Sequence, residues 1–131
     1  DWSSDVCSSD LVTLTGGVAL QTQENWCEFI SKDLQSISFG GNAAELYFEE
    51  DKFDDFLKKL AAIKGIFYVH PVQQYSWGQR VIRFYDPDFH ILEVGENMKS
   101  VCRRFLDSGM TIEAAAVRMN VPEKFVRACV R

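Results

Sequence analysis

The sequence has few of the features that mark membrane, secreted or nucleic-acid-binding proteins. Its 131 residues include three prolines and four cysteines, and no two cysteines form a C-x-x-C pair. No apolar run approaches the roughly 18 residues that a membrane span needs. The formal net charge of −5 argues against general binding to nucleic acid. The cysteines are therefore predicted to be reduced thiols of a cytoplasmic protein, rather than disulfides or zinc ligands.

The composition is that of a folded domain with a substantial core. Hydrophobic residues make up 47% of the chain, aromatic residues 13% and charged residues 25%. Those proportions exclude a disordered or low-complexity protein. Because a typical domain has roughly 100–200 residues, the length predicts one domain and little more.

Residues 1–11, DWSSDVCSSDL, differ in character from the rest of the chain. They contain three Asp, four Ser and no basic residue, and they show no apolar periodicity. The segment also lacks the basic start and apolar stretch of a signal peptide. It resembles one translated frame of a sequencing-library adapter, the alternative being a native acidic tail. We therefore predict a non-native tail joined to a domain that lacks its native N-terminus.

Residues 43–95 have the pattern of a β-α-β-β-β unit. A strand is predicted at 44–49, followed by a helix from Asp51 whose apolar residues recur every three or four positions. Gly65 ends that helix. Three further strands are predicted at 66–72, 80–85 and 90–94.

A second, incomplete unit is predicted before it. Residues 12–23 alternate apolar and polar side chains around Gly16-Gly17, which favours a hairpin of two short strands. Residues 17–25 can also be aligned with 89–97, including a shared Glu-Asn ending. The first unit is therefore interpreted as truncated, with its first strand, helix and second strand missing. The stretch 24–41 is predicted to be an irregular loop anchored by Trp26, Phe29, Ile37 and Phe39.

The run from Trp77 to Val94, WGQRVIRFYDPDFHILEV, resembles the closing half of a vicinal-oxygen-chelate domain. That superfamily includes glyoxalase I, bleomycin-resistance proteins, fosfomycin-resistance enzymes and extradiol dioxygenases. Its pattern is a hydrophobic strand, Asp-Pro-Asp-Gly-His or similar, and a strand that carries a glutamate. Phe89 stands where the pattern usually has glycine. The resemblance covers residues 12–96 and implies an α+β fold of paired β-α-β-β-β modules, the second complete and the first truncated.

The resemblance also implies a divalent metal ion (Zn, Ni, Mn or Fe) bound by the first and last strands of each module. Glu93 matches the last-strand ligand of the second module, and Gln21 occupies the pseudo-equivalent place in the first. Ala43 stands where another ligand is expected and cannot ligate, although Asn42 or Glu45 could do so in a shifted register. One firm ligand among three visible positions predicts weak metal binding.

The remaining site residues are predicted from their chemistry and from strand alternation. Glu93 has a second interpretation, in which its carboxylate pairs with Arg80 or Arg83. His70 and His90 are interpreted as structural or surface residues. No catalytic residue is assigned. An aromatic cup with a few polar groups is an ordinary small-molecule site, and the predicted ligand-binding residues are Trp77, Arg80, Tyr47 and Tyr85.

Residues 97–131 are predicted to form a separate helical extension. Helices are expected at 98–106, 111–119 and 122–130, and the segment carries seven basic and three acidic residues. The run from Gly109 to Val126 resembles the helix-turn-helix pattern of bacterial regulators. The favoured interpretation is a helical appendage packed on the sheet or on a partner subunit; the alternative is DNA binding.

The sequence thus predicts three segments: 1–11, 12–96 and 97–131. The expected function is binding of a small organic molecule, with a metal-dependent lyase or dioxygenase activity left open. Two alternatives are a ligand-responsive transcriptional regulator and a metal-free drug-sequestering protein. A homodimer of the full-length protein is expected, without a membrane or nucleic-acid partner.

Overall fold

The computed structural model describes residues 11–14 and 16–130. The chain divides into two compact units, one ending at Ser38 and the other running from Phe39 onwards. The adapter-like segment 1–11 lies outside the described residues except for Leu11. Among the described residues, no helix combines the length and apolarity needed to cross a membrane.

The first unit contains the predicted hairpin. Strand β1 (Leu11–Thr13) pairs antiparallel with β2 (Ala19–Gln21), in a register that sets Val12 opposite Leu20. Gly16 and Gly17, in the turn between them, both have positive φ, which glycine adopts without steric cost. The hairpin prediction for residues 12–23 is therefore confirmed for the described residues.

The prediction of an irregular loop at 24–41 is wrong for the first third of that stretch, because helix α1 spans Gln23–Ile30. Thr22 caps the helix by accepting a hydrogen bond from the backbone N–H of Asn25, a common helix start. Ser31 ends it in a left-handed conformation. The helix has no buried residue, and the expected anchors Trp26 and Phe29 are exposed. A short 3₁₀ turn follows at Leu34–Ser36.

The second unit begins with the predicted β-α-β-β-β arrangement, which the structure confirms. Its sheet has the strand order β3-β6-β5-β4; β3 and β6 are parallel and the other neighbours antiparallel. A helix, α2, connects β3 to β4. The elements are β3 (Glu45–Glu50), α2 (Phe53–Ala62), β4 (Tyr68–Gln74), β5 (Arg80–Tyr85) and β6 (Ile91–Glu96).

Helix α2 covers one face of this sheet. Phe53 and Leu60 of the helix pack in one buried cluster with strand residues Ile82, Phe84 and Val94. Because successive strand residues point to opposite faces, the residues between these lie on the other side. We call that side, which carries Glu45, Tyr47, Arg83, Glu93 and His70, the open face.

The turn before β6 keeps the geometry expected of the Asp-Pro-Asp motif. Phe89 has φ of 63°, so it adopts the left-handed conformation although it is not glycine. The Asp86 carboxylate accepts hydrogen bonds from the backbone N–H groups of Asp88 and His90, and it contacts His90 Nδ1 at 2.9 Å. Aromatic contacts to Phe67 and Tyr85 hold the Phe89 ring. His90 therefore has the structural role predicted for it.

Three helices follow the sheet, as predicted, with a hydrophobic cluster of their own. Asn97 and Thr111 cap the first two by accepting backbone N–H hydrogen bonds. Cys102 and Cys129 are buried in the cluster, and burial raises the pKa of the Cys102 thiol to about 12. The helices are α3 (Met98–Asp107), α4 (Ile112–Met119) and α5 (Glu123–Cys129).

Candidate functional site

The open face gathers polar side chains from all four strands. Tyr47 of β3 lies opposite Glu93 of β6 in the parallel ladder, and Glu93 lies opposite Arg83 of β5. His70 of β4 is in turn the ladder partner of Arg83. The strand pairing therefore brings residues 47, 93, 83 and 70 into one row across the sheet.

Arg83 is the centre of this row. Its Nε donates to Glu45 Oε2 at 2.8 Å, and its Nη2 donates to Glu93 and to Glu45 Oε1, the latter at 3.4 Å. Its Nη1 donates to the Tyr75 hydroxyl at 2.8 Å and to His70 Nε2 at 3.3 Å. A guanidinium has five N–H donors, and these five contacts engage all of them.

The histidine in the row has a defined hydrogen-bonding state. His70 Nδ1 lies 2.7 Å from the carbonyl oxygen of Pro71, which can only accept a hydrogen bond. The Nδ1 atom therefore carries the proton, and Nε2 accepts from Arg83. This arrangement makes His70 a supporting residue of the Arg83 network.

The two carboxylates have opposite pKa shifts, for different reasons. The hydrogen bond from Arg83 lowers the pKa of Glu45, whose side chain is 37% exposed. Burial, followed by the neighbouring Glu45, raises the pKa of Glu93, whose side chain is 7% exposed. Two carboxylates surround one guanidinium, so the ionised cluster has a formal charge of −1.

An aromatic group lies beside the cluster on the same side. The rings of Tyr75 and Trp77 are stacked, with centroids 4.4 Å apart. Trp77 Nε1 donates to Gln79 Oε1 at 3.1 Å, and Gln79 Nε2 donates to the Tyr47 hydroxyl at 3.1 Å. Gly95 makes room for this chain, because an added Cβ would lie 2.9 Å from Gln79 Nε2 and 3.0 Å from the Tyr47 ring.

The structure brings only some of the predicted ligand residues together. Tyr47 and Trp77 lie in the hydrogen-bonded group just described. Tyr85 is on the open face but at the far end of β5, where its hydroxyl donates to Asn42 Oδ1 at 2.8 Å. Arg80 lies on the side of α2, where it binds Glu96 and Asp54.

The predicted metal ligands do not belong to one unit of the chain. Gln21 belongs to the first unit and is exposed on β2. Glu93 is engaged by Arg83, as its second interpretation predicted. Ala43 precedes β3, so the first residue of that strand, Glu45, takes the place on the open face that was expected near Ala43.

Sequence reasoning did not assign Tyr75 or Gln79 to the site. It named Arg83 only as a possible partner of Glu93, and Glu45 only as a possible metal ligand in a shifted register. The alternation of β5 was the available signal for Arg83, because it sets residues 83 and 85 on one face and residue 80 on the other. The position of Glu45 depends on the β3-β6 register. That register was not readable from the sequence.

The residues of the open face do not fit a divalent metal ion. The positively charged Arg83 guanidinium contacts both Glu45 and Glu93, so it repels a cation from the space between them. It also donates to His70 Nε2, which has a single lone pair to offer a metal. In the part of the chain that the structure describes, no three His, Cys, Asp or Glu side chains are grouped to hold a metal. The guanidinium already supplies the positive charge between the carboxylates.

Comparison with solved structures gives several similar folds. A protein of unknown function from Agrobacterium tumefaciens is 32% identical, with a TM-score of 0.59 over 72% of this chain and 73% of that one. A glyoxalase-related enzyme from Fulvimarina pelagi is 19% identical, with a TM-score of 0.58 over 74% and 71%. A lactoylglutathione lyase from Agrobacterium tumefaciens is 19% identical, with a TM-score of 0.51 over 71% and 72%.

The family comparison covers most of the chain. No curated protein matches the sequence. Residues 7–99, however, match the family described as the glyoxalase-like domain. That range contains the whole β-α-β-β-β unit and the open face, and it agrees with the resemblance drawn from residues 77–94. The chain therefore belongs to the glyoxalase-like domain family.

Proposed function

We propose that the open face binds a small organic molecule without a divalent metal ion. The observation that carries this proposal is the position of Arg83 between Glu45 and Glu93, at 2.8 Å from the first and in direct contact with the second. A fixed guanidinium there neutralises part of the carboxylate charge, as a metal ion would. The face therefore needs no metal to hold its two acidic residues together.

The cluster favours ligands that donate hydrogen bonds or carry a positive charge. All five donors of Arg83 are engaged inside the protein, so it has none left for a carboxylate or phosphate. Arg83 donates to only one of the two Glu93 oxygens, and the cluster has a net charge of −1 when both carboxylates are ionised. The stacked Tyr75 and Trp77 rings add an apolar surface with a preference for cations. An alkylamine that carries an aryl ring combines both properties.

This proposal corresponds most closely to the metal-free sequestering protein among the alternatives. Metal-dependent lyase or dioxygenase activity would need Arg83 to release its carboxylates, and no step of such a reaction is proposed. The regulator alternative stays a prediction without support among the matched proteins. In the last of the C-terminal helices, Arg127 is paired with Glu123 at 3.0 Å.

The proposal can be tested by NMR titration with three probes of nearly equal shape: phenethylamine, 2-phenylethanol and 3-phenylpropionate. We expect saturable shifts with the amine, weaker ones with the alcohol and none with the carboxylate, in the presence of a chelator. Replacing Glu45 with Gln removes one charge and should weaken amine binding at least about fivefold. The exposed Asp107→Asn variant is the matched control and should bind normally.

Two results would overturn the proposal. One is binding of 3-phenylpropionate in preference to the amine, which would mean that Arg83 is available to anions. The other is amine binding that requires an added divalent ion and disappears with the chelator.

A further inference from the structure

The turn between β4 and β5 carries the aromatic part of the open face. It is closed by two backbone hydrogen bonds of 2.9 Å, from Tyr75 N to Gln79 O and from Gly78 N to Tyr75 O. Tyr75 and Trp77 stack on each other within it, and Tyr75 receives a hydrogen bond from Arg83. The position of this turn therefore decides where the aromatic surface lies relative to the carboxylates.

Helix α3 packs directly on the same turn. Arg104 Nη2 donates to the carbonyl oxygen of Gly78 at 2.7 Å. The buried ring of Phe105 lies against Gly78, where an added Cβ would be 2.6 Å from ring atom Cε2 and closer still to Cζ. Gly78 also has φ of +90°, a conformation that favours glycine. The glycine thus permits both the turn and the close approach of the helix.

A buried carboxylate provides a second connection from α3 to the turn. Arg104 Nη2 also donates to Glu96 Oε2 at 2.9 Å, and the Glu96 side chain is 5% exposed. The backbone carbonyl of Glu96 accepts a hydrogen bond of 3.0 Å from Gln79 Nε2. Gln79 is the residue that bonds both Trp77 and Tyr47. Two routes, through Gly78 and through Glu96, therefore link Arg104 to the aromatic group.

We propose that Arg104 and Phe105 are positioning residues, through which the C-terminal helices hold the Tyr75–Trp77 turn in its ligand-binding geometry. The ligand-binding part of this inference rests on the proposed function of the open face. This inference gives the helical extension a role in the site, since a ligand bound at the turn would also stabilise α3. Coupling between two sites is reciprocal in free energy, so the effect can be measured from either end.

The first experiment measures the turn without any ligand. The stacked Tyr75 and Trp77 rings should contribute a near-ultraviolet circular dichroism signal, identified as the part that Trp77→Phe removes. We expect Arg104→Met to reduce that part by at least about half while far-ultraviolet dichroism is unchanged. Arg104→Lys, which keeps a positively charged donor nitrogen, should restore some of it. Arg103→Met, at an exposed position of the same helix, is the control and should have no effect.

The second experiment adds phenethylamine as the probe. Arg104→Met should weaken its binding at least about fivefold, and Arg104→Lys should recover part of the loss. In the unsubstituted protein, the amine should slow hydrogen exchange in α3 as well as in the turn. If Arg104→Met does not fold, the exchange measurement on the unsubstituted chain still decides the question.

The outcomes separate the two proposals. A wild-type dichroism signal in Arg104→Met overturns the positioning role, and so does protection of the turn by the amine with unchanged exchange in α3. Failure of the unsubstituted protein to bind the amine overturns the proposed function instead. The ligand-free dichroism result then decides by itself whether α3 positions the turn.

Discussion

Replacing Arg83 with Met would show how strongly the open face depends on its central cation. The substitution keeps an apolar side chain of similar length but removes all five hydrogen bonds. Glu93, whose side chain is 7% exposed, would then be ionised without a partner. Breaking a buried ion pair from one side costs about 3–5 kcal/mol. The Arg83 side chain is 20% exposed, so water can replace part of the lost hydrogen bonding. We therefore expect a loss of unfolding free energy at the lower end of that range, about 3 kcal/mol.

The loss should depend on pH with a defined sign. Burial and Glu45 already raise the pKa of Glu93 in the folded protein, and removing Arg83 raises it further. When the pKa of Glu93 is higher in the folded than in the unfolded chain, the folded state favours the neutral carboxyl. The variant therefore loses stability as the pH rises through the pKa of the folded state. Glu45 has a lowered pKa, so its contribution to the unsubstituted protein is lost as pH falls. The Glu45 contribution is lost only below its ordinary pKa of 4.5. Between pH 5 and pH 8 the Glu93 effect therefore dominates, and it makes the difference between the two proteins smaller at pH 5.

Urea unfolding followed by circular dichroism at pH 8 and pH 5 measures this prediction. A loss of about 3 kcal/mol corresponds to a melting temperature lower by roughly 10 °C for a chain of this size. Adding Glu93→Gln to Arg83→Met should recover part of the loss at pH 8, because the unpaired charge is gone. A loss below about 1 kcal/mol, or one that does not shrink at pH 5, would refute the assigned role of Arg83.

The remaining predictions test other parts of the chain. Gly78→Ala should lower the free energy of unfolding by about 3 kcal/mol, because it adds backbone strain and overlap with the Phe105 ring; an unchanged urea midpoint would contradict this packing. Calorimetry with zinc, nickel, manganese and iron(II) should show no binding tighter than about millimolar. Micromolar binding that Glu93→Gln abolishes would contradict this and identify Glu93 as a metal ligand. Asn120→Ala should cost about 1 kcal/mol, since Asn120 ends α4 with φ of 54°, whereas Asn120→Gly should be close to neutral; equal losses in thermal unfolding would argue against the cap. Light scattering of the full-length protein should give the mass of a dimer, and a monomer at micromolar concentration would contradict that prediction.

The sheet and the C-terminal helices were predictable because their patterns are strong. The helix after Asp51 has apolar residues at helical spacing that bury against the sheet, and β5 alternates from Ile82 to Tyr85. Helix α1 was missed although Trp26, Phe29 and Ile30 have helical spacing, because Trp26 and Phe29 were interpreted as anchors of a loop. None of the three is buried in the structure. Its remaining signal was local, the Thr22 cap.

The site was less predictable, for a geometric reason. Alternation in β5 shows that Arg80 and Arg83 lie on opposite faces, but it does not show which face α2 covers. Arg80 was therefore predicted to bind ligand although it lies beside α2 with Glu96 and Asp54. To place Glu45 in the site, one would need to know how β3 pairs with β6, whose paired residues are 46 positions apart in the sequence. Glu93 was correctly placed on the last strand, because the motif fixes its distance from the turn.

The parallel pairing of β3 with β6 has a consequence for how the chain is synthesised. Each β3 residue pairs with a residue 46 positions later, which a ribosome adding roughly 5–20 residues per second needs about 2–9 s to reach. During that interval Leu46 and Phe48 have no strand beside them on the β6 side. Three glutamates flank this apolar stretch, at 45, 49 and 50, and charges at such places discourage nascent strands from associating with one another. The acidic character of β3 therefore protects the chain before it contributes to the folded site.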